Sequence, residues 1–456
     1  MNSKDKTHLI LNGSIYKALL YLSVPIMINS LIQTIYNLVD GIWVSKISSV
    51  HFAATAFVWP VNFLFISIGI GLSIAGTSIL SQFIGANKIK EANEHATQLI
   101  VLTVLSAILF STIGIIFTPF IVKWMGATGD LAKYGIIYLR ITFLDMLFMF
   151  VFFNYSSIMN SQGNTLYPTI FSAISATINA ILDPIFIFTF DLGIAGAAYA
   201  TLLSRILLAV AGLIHLYRGN SLILPSFKGF RFNIGIIKNI VKVGLPTSVG
   251  QSGAAIGFIV LNMFIGSYGT ATIAAYAMVN RITSLISQPA MGLGSALTAI
   301  VGQNIGANQE NRVKESFSKA TLLTSILGFI GCFVLLTFDI EIINFFMQSK
   351  DDPSVIELSV NYLKYISWSM PLMGIFSVLQ GLFQGTGNTK YSMTMEIGRL
   401  WFVRLPMILI FKNFTNWGAS GIWFSMSFSN LIVCLYGFLI YTKGLWKKSV
   451  INLESL

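Results

Sequence analysis

Long apolar runs dominate the chain, and short clusters of Gly, Asn, Lys, Asp and Glu interrupt them. The pattern predicts twelve helical spans, at 15–44, 52–83, 96–120, 136–160, 166–190, 195–217, 236–266, 272–303, 318–338, 354–383, 391–412 and 417–442. Crossing a bilayer takes about 20 apolar residues, so each run is long enough. Lipid offers no partner for free backbone groups, which makes the spans helical. They are too long, and alternate too little, for barrel strands. The expected fold is an all-α integral membrane protein.

The twelve spans fall into two sets of six. Ile84-Gly85-Ala86-Asn87 recurs as Ile305-Gly306-Ala307-Asn308, a shift of 221 that Pro25/Pro246, Gly71/Gly292 and Gln82/Gln303 share. Gln162-Gly163-Asn164-Thr165 returns as Thr386-Gly387-Asn388-Thr389, shifted by 224. Six is even, so the halves have the same orientation and form parallel repeats about an axis along the membrane normal. The expected division is an N-terminal six-helix lobe at 1–217, a polar, basic cytoplasmic linker at 218–235 and a C-terminal six-helix lobe at 236–456, with a V-shaped cavity between the lobes.

Composition agrees. Apolar residues make up 55% of the chain and charged residues 10%, and mean hydropathy is +0.76; soluble domains carry roughly 25% charged residues. With the N-terminus placed inside, seventeen Lys and Arg fall in inside segments (Lys448 among them), seven outside (Lys350 among them) and four within spans. That bias predicts both termini cytoplasmic, in a multi-pass plasma-membrane protein. The net charge of +11 then reflects a face beside anionic lipid and calls for no nucleic acid. The polar first residues, followed by a full span, predict no cleavable signal peptide. Cys332 and Cys434 lack metal-type spacing and read as small packing residues.

Nothing in the motifs points to an enzyme. The four histidines have no metal-spaced partners, and no Walker loop is present to hold ATP. The informative residues are charges inside the bilayer, where each costs at least about 2.5–3.5 kcal/mol and is usually retained for function. Asp40 lies in the first span, with Tyr36 and Asn37 four and three residues before it. Asp183 lies in the fifth, with Asn179 four residues before it on the same face. Pro184 follows and weakens the helix ladder, and Pro25 is a second candidate kink. The repeat sharpens this: Asp40 maps onto Leu261 and Asp183 onto Met407. The carboxylates belong to one half only, which favours a cation or proton site over a generic polar packing cluster. Asp145 reads as a rim charge, solvated or paired with Arg140. Glu396 and Arg399, at i and i+3, read as an ion pair; Arg281 is placed toward the cavity or toward Glu396, and Arg205 has no evident partner.

Together these residues resemble the MATE (multidrug and toxic compound extrusion) transporters over essentially the whole chain. The resemblance rests on the twelve-span repeat, Pro25 ahead of Tyr36-Asn37-Leu38-Val39-Asp40, the glycine-rich second span ending in Gln82-Phe83-Ile84-Gly85-Ala86, and Gln162-Gly163-Asn164-Thr165 opening the span that carries Asn179 to Pro184. The polar set is most similar to the DinF branch. That likeness implies a cation site in the N-terminal lobe formed by Asp40, Asn179, Asp183 and Thr201, with Asn154 as a neighbour. The acidic C-lobe residues of the NorM branch are missing from the seventh and tenth spans.

The expected function is therefore secondary active antiport: export of an organic, cationic and amphipathic compound in exchange for H+ or Na+, by alternating access, in a monomer. No cofactor is expected, nor any metal beyond Na+ at Asp40 and Asp183. The rival reading is a flippase for lipid-linked or polysaccharide precursors, which favours a strongly cationic cavity and often extra spans.

Overall fold

The computed structural model describes residues 3–219, 221–346 and 353–447. Lys350, Lys448 and Asn220 of the expected linker lie outside these. Among the described residues every regular element is helical. A short α1 (Ser3–Asn12) leads into six spanning helices: α2 (Ile15–Ser45), α3 (Ser49–Gly85), α4 (Ile89–Trp124), α5 (Gly129–Ser161), α6 (Leu166–Pro184) and α7 (Gly193–Arg218). The second half opens with α8 (Ile234–Gly266), α9 (Thr270–Gly306) and α10 (Glu310–Thr337), followed by a short α11 (Asp339–Phe346).

Two expected spans are broken. The tenth divides into α12 (Pro353–Ser367) and α13 (Met370–Gly385), bent by 49°. Pro371 stands second in α13 and has no N–H for the carbonyl of Ser367, so the ladder cannot run through. The eleventh divides into α14 (Thr389–Ile397), a π-helical turn at Gly398–Arg404 and α15 (Leu405–Phe414); α16 (Ala419–Thr442) completes the set. Another π-helical turn, Ile185–Thr189, follows Pro184 at the end of α6. Such turns cluster at functional sites. The helices α1 and α11 have no counterpart in the apolar pattern, because neither is a spanning run. Helix α1 is held from the other half: Arg312 donates to the carbonyls of Ile10 (3.0 Å) and Gly13 (2.5 Å), which its C-terminus would otherwise leave unsatisfied.

The repeated motifs turn out to be helix ends. Asn87 and Asn308 both adopt left-handed backbone, with φ of 58° and 56°. Asn tolerates that conformation better than other side chains. Gly163 and Gly387 do the same at the second pair of corners, with φ of 74° and 76°.

The same repeats knit the halves together about a pseudo-two-fold axis. Gln82 of α3 donates to the carbonyl of Gly385 at 2.9 Å, while Gln303 of α9 donates to that of Ser161 at 2.7 Å; each bond is the other under the repeat. A Cβ on Gly85 would strike the backbone of Gln303, and one on Gly306 would strike that of Gln82. These close approaches bury α3 from Ala75 to Ile84 and α9 from Ala296 to Gly306 on all sides. Toward the opposite ends burial fades: Leu31, Ile35, Leu38 and Ile42 of α2, and Ile273 and Leu285 of α9, are exposed. The lobes are thus joined at the end carrying the repeated corners. Gly306→Val should lower the thermal midpoint markedly, since overpacking a tight core costs about 1–3 kcal/mol. Gly398→Val is the control: a Cβ there meets nothing and the backbone is right-handed helical, so it adds a side chain without the inter-lobe clash.

Candidate ion site and its relatives

The polar residues of the N-terminal half converge between α2, α5, α6 and α7. Asn179 donates from Nδ2 to Asp183 Oδ1 (3.2 Å) and to Thr201 Oγ1 (3.3 Å). Thr201 also meets the Tyr36 hydroxyl at 3.2 Å. Helical spacing explains the cluster. Asn179 and Asp183 are one turn apart on α6, Tyr36 and Asp40 one turn apart on α2, and Thr201 and Arg205 one turn apart on α7. Asp40 lies within electrostatic reach of Asp183 and of Arg205.

Several oxygens here are buried without a protein partner: Asp40 Oδ1, Asp183 Oδ2 and Asn179 Oδ1. All are acceptors. A buried acceptor left unsatisfied costs about 1–3 kcal/mol, and these free oxygens suit a proton or a cation. Protons would convert a carboxylate oxygen into a donor, and Na+ would be ligated by the oxygens directly. A cleft of about 280 Å³ between α2 and α6 reaches the cluster, lined by Ile35, Tyr36, Val39, Thr177 and Asn179. A smaller space of about 30 Å³ lies beside Gln33, Tyr36, Ser204 and Arg205, room for about one water.

Asp145 departs from the sequence reading. It is 3% exposed and pairs with Arg205 of α7 at 2.5 Å. Arg140 is exposed. Five residues along a helix turn the side chain through about 140°, which puts Arg140 and Asp145 on different faces. The same pair gives Arg205 the partner that its sequence context did not reveal. Tyr138, seven residues before Asp145, comes within electrostatic reach of Asp40 and Arg205. Sequence reasoning missed Tyr138 and Arg205 as neighbours of the cluster. The signals were the one-turn step from Thr201 to Arg205 and the two-turn step from Tyr138 to Asp145.

Other candidates lie elsewhere. Asn154 is buried against α4, where it accepts from Thr103 at 3.2 Å. Asn37 is exposed, turned away from the face that carries Tyr36. The Pro25 carbonyl accepts from Thr169 at 2.9 Å, and the Leu22 carbonyl from Thr165 at 3.0 Å. Glu396 pairs with Arg399 at 3.0 Å, while Arg281 is exposed and forms no ion pair among the described residues. No group of three or more His, Cys, Asp and Glu suited to a metal ion occurs among the described residues.

Comparison with known proteins fits this architecture. The chain is 26% identical over 436 residues to the probable multidrug resistance protein YpnP of Bacillus subtilis, covering 95% of this chain and 96% of that one. It is 24% identical over 432 residues to the multidrug export protein MepA of Staphylococcus haemolyticus, covering 94% of each. A MATE crystal structure in a bent conformation superposes with a TM-score of 0.91 at 25% identity, covering 98% of this chain and 99% of that one. The MatE family model matches twice, at residues 25–185 and 246–410, once in each half of the repeat. The chain belongs to the MatE family of membrane transporters.

Proposed function

We propose that this protein is a secondary antiporter that exports amphipathic organic cations in exchange for H+ or Na+. The observation that carries this is the set of unpartnered acceptors on Asp40, Asn179 and Asp183. Two carboxylates within reach of each other in a low-dielectric interior repel, and they titrate or bind ions as a pair. Loading the pair with a cation or with protons removes that repulsion and lets α2 and α6 approach. Unloading it restores the repulsion.

The helices are suited to turn this into movement. Pro25 interrupts the ladder of α2, and Pro184 with its π-helical turn ends α6, so both can bend without breaking a regular hydrogen bond. The relative solved in a bent conformation supports bending as part of the cycle. We place the coupling site in an N-terminal lobe at 1–217, joined through a cytoplasmic linker at 218–235 to a C-terminal lobe at 236–456, in the plasma membrane with both termini cytoplasmic. On that placement the joined end faces the cytoplasm and the splayed end faces outward. Relatives named for multidrug resistance and export support drug-like cargo. Expression in an efflux-deficient host tests the reading: minimum inhibitory concentrations of cationic dyes and biocides should rise at least fourfold. Unchanged susceptibility to every such compound, with the protein inserted in the membrane, counts against it.

Thr169 adds a smaller prediction. Its hydroxyl bonds the Pro25 carbonyl, while the repeat mate, Met393, has no hydroxyl to offer. Thr169→Val should change the rate of export while leaving ion dependence in place, measured as initial rates at saturating gradient.

A further inference from the structure

The C-terminal half carries the opposite chemistry at the equivalent place. At a shift of 225, Gly196 and Ser204 of α7 fall on Gly421 and Ser429 of α16. The packing agrees, because Gly196 sits against Phe186 and Gly421 against Phe411, the same shift. The stretch from α14 to α15 is the mate of α6. On α6 the charged residue is Asp183; on its mate, between the terminal Lys390 and Lys412, the charged residues are Glu396, Arg399 and Arg404.

Arg404 is 3% exposed. Its guanidinium donates to Ser429 Oγ (3.0 Å), the Met426 carbonyl (3.2 Å) and Asn430 Oδ1 (3.3 Å), all neutral. The one carboxylate of this core, Glu396, bonds Arg399, which also lies over the Phe376 ring at 4.4 Å. Two guanidiniums therefore share one carboxylate. A buried charge without a counter-charge is costly enough that it is normally paired. The unpartnered buried atoms sharpen the point. On α6 they are acceptors, Asn179 Oδ1 and Asp183 Oδ2; on α14 to α16 they are all donors, namely Arg399 Nε, Trp423 Nε1 and Asn430 Nδ2. Trp423 lies one turn from Met426 on the same helix and stacks on Tyr362 (4.1 Å) and Tyr276 (6.3 Å). Both tyrosines are within electrostatic reach of Arg404. Tyr276 and Asn280 are partly exposed, so the core is not sealed along that edge.

We infer that the C-terminal half holds a site for a compact anion, centred on Arg404 with Trp423 and Asn430 as neutral donors. The anion is either a free inorganic ion or the carboxylate of an aromatic solute, whose ring the Tyr276–Tyr362–Trp423 stack would accept. The solute form rests on the transporter reading above; anion binding itself does not. The two halves would then present opposite polarity at pseudo-equivalent positions.

The test is the thermal unfolding midpoint of the purified full-length protein in detergent. It is measured with sodium chloride, sodium benzoate or the bulky sodium morpholinoethanesulfonate at one ionic strength. A saturable rise with chloride or benzoate over the sulfonate is expected. Chloride alone assigns a free anion; benzoate at lower concentration than chloride assigns the carboxylated solute. Arg404→Gln should abolish the rise. Because that variant leaves Ser429 and Asn430 without a donor and can misfold, Trp423→Phe is the second arm: it keeps the ring stack, removes one donor and should weaken half-saturation roughly 3- to 10-fold. Asp183→Asn should leave the anion response unchanged, which separates this site from the cation cluster. Equal midpoints in all three salts, or an undiminished response in Trp423→Phe, would overturn the inference.

Discussion

Asp183→Asn should leave the protein inserted and folded while removing ion-driven export. The substitution keeps the volume and one acceptor, so Asn179 retains a partner, but it deletes the charge that would hold the proposed coupling ion. Hydrogen bonds to charged groups contribute about 1.5–3 kcal/mol, which corresponds to roughly 10- to 150-fold in ion affinity. At ordinary gradients that loss empties the site. Asp40→Asn should behave similarly. Asn154→Leu should not, because Asn154 bonds Thr103 on α4, away from the cluster. Initial rates of dye export in everted vesicles separate the three variants. A normal rate in Asp183→Asn alongside a defective Asn154→Leu would move the site to α4 and α5.

The second large effect concerns stability. Asp145→Leu leaves Arg205, whose side chain is 23% exposed, without its carboxylate partner at 2.5 Å. Removing one member of a fully buried pair typically costs about 3–5 kcal/mol; partial solvation of Arg205 reduces that, and the variant should still unfold at a clearly lower temperature. Replacing both members, as Asp145→Leu with Arg205→Met, should recover most of that loss, because a well-packed apolar pair of similar size often matches a buried ion pair. The double variant also removes a positive charge within reach of Asp40. If it folds, its ion dependence should shift although neither Asp40 nor Asp183 has changed. A double variant as unstable as the single one would show that the pair is needed for packing geometry rather than for charge balance.

Much of the scaffold was legible in the residues because bilayer physics leaves few choices. Spanning runs must be helical, and a repeat of Gly-Ala-Asn corners marks helix ends whatever lies between them. Asn179 and Asp183 were readable as one face because their spacing is one helical turn. Cross-helix partners were harder. Nothing local to Arg205 names Asp145, sixty residues earlier, and the nearer Arg140 offered a plausible but wrong-faced partner. The breaks in the tenth and eleventh spans were missed for a related reason. Pro371 was visible, but a hydropathy pattern registers length and apolarity, not the continuity of a hydrogen-bond ladder. At the π-helical turn Gly398–Arg404 the signal was Pro406 just beyond it, which has no N–H for the carbonyl of Phe402, and the hydropathy pattern passes over it in the same way.

In the proposed mechanism the broken symmetry between the halves carries the ion coupling. Paired glutamines and glycines repeat across the halves and fix a common frame, whereas Asp40 and Asp183 face Leu261 and Met407 in the repeat. The most direct measurement of that claim is substrate flux in proteoliposomes with pH and Na+ gradients imposed separately. The wild type should respond to at least one gradient, and Asp40→Asn and Asp183→Asn should respond to neither while Leu261→Ala still does. Gradient-driven flux persisting in both aspartate variants would contradict the account.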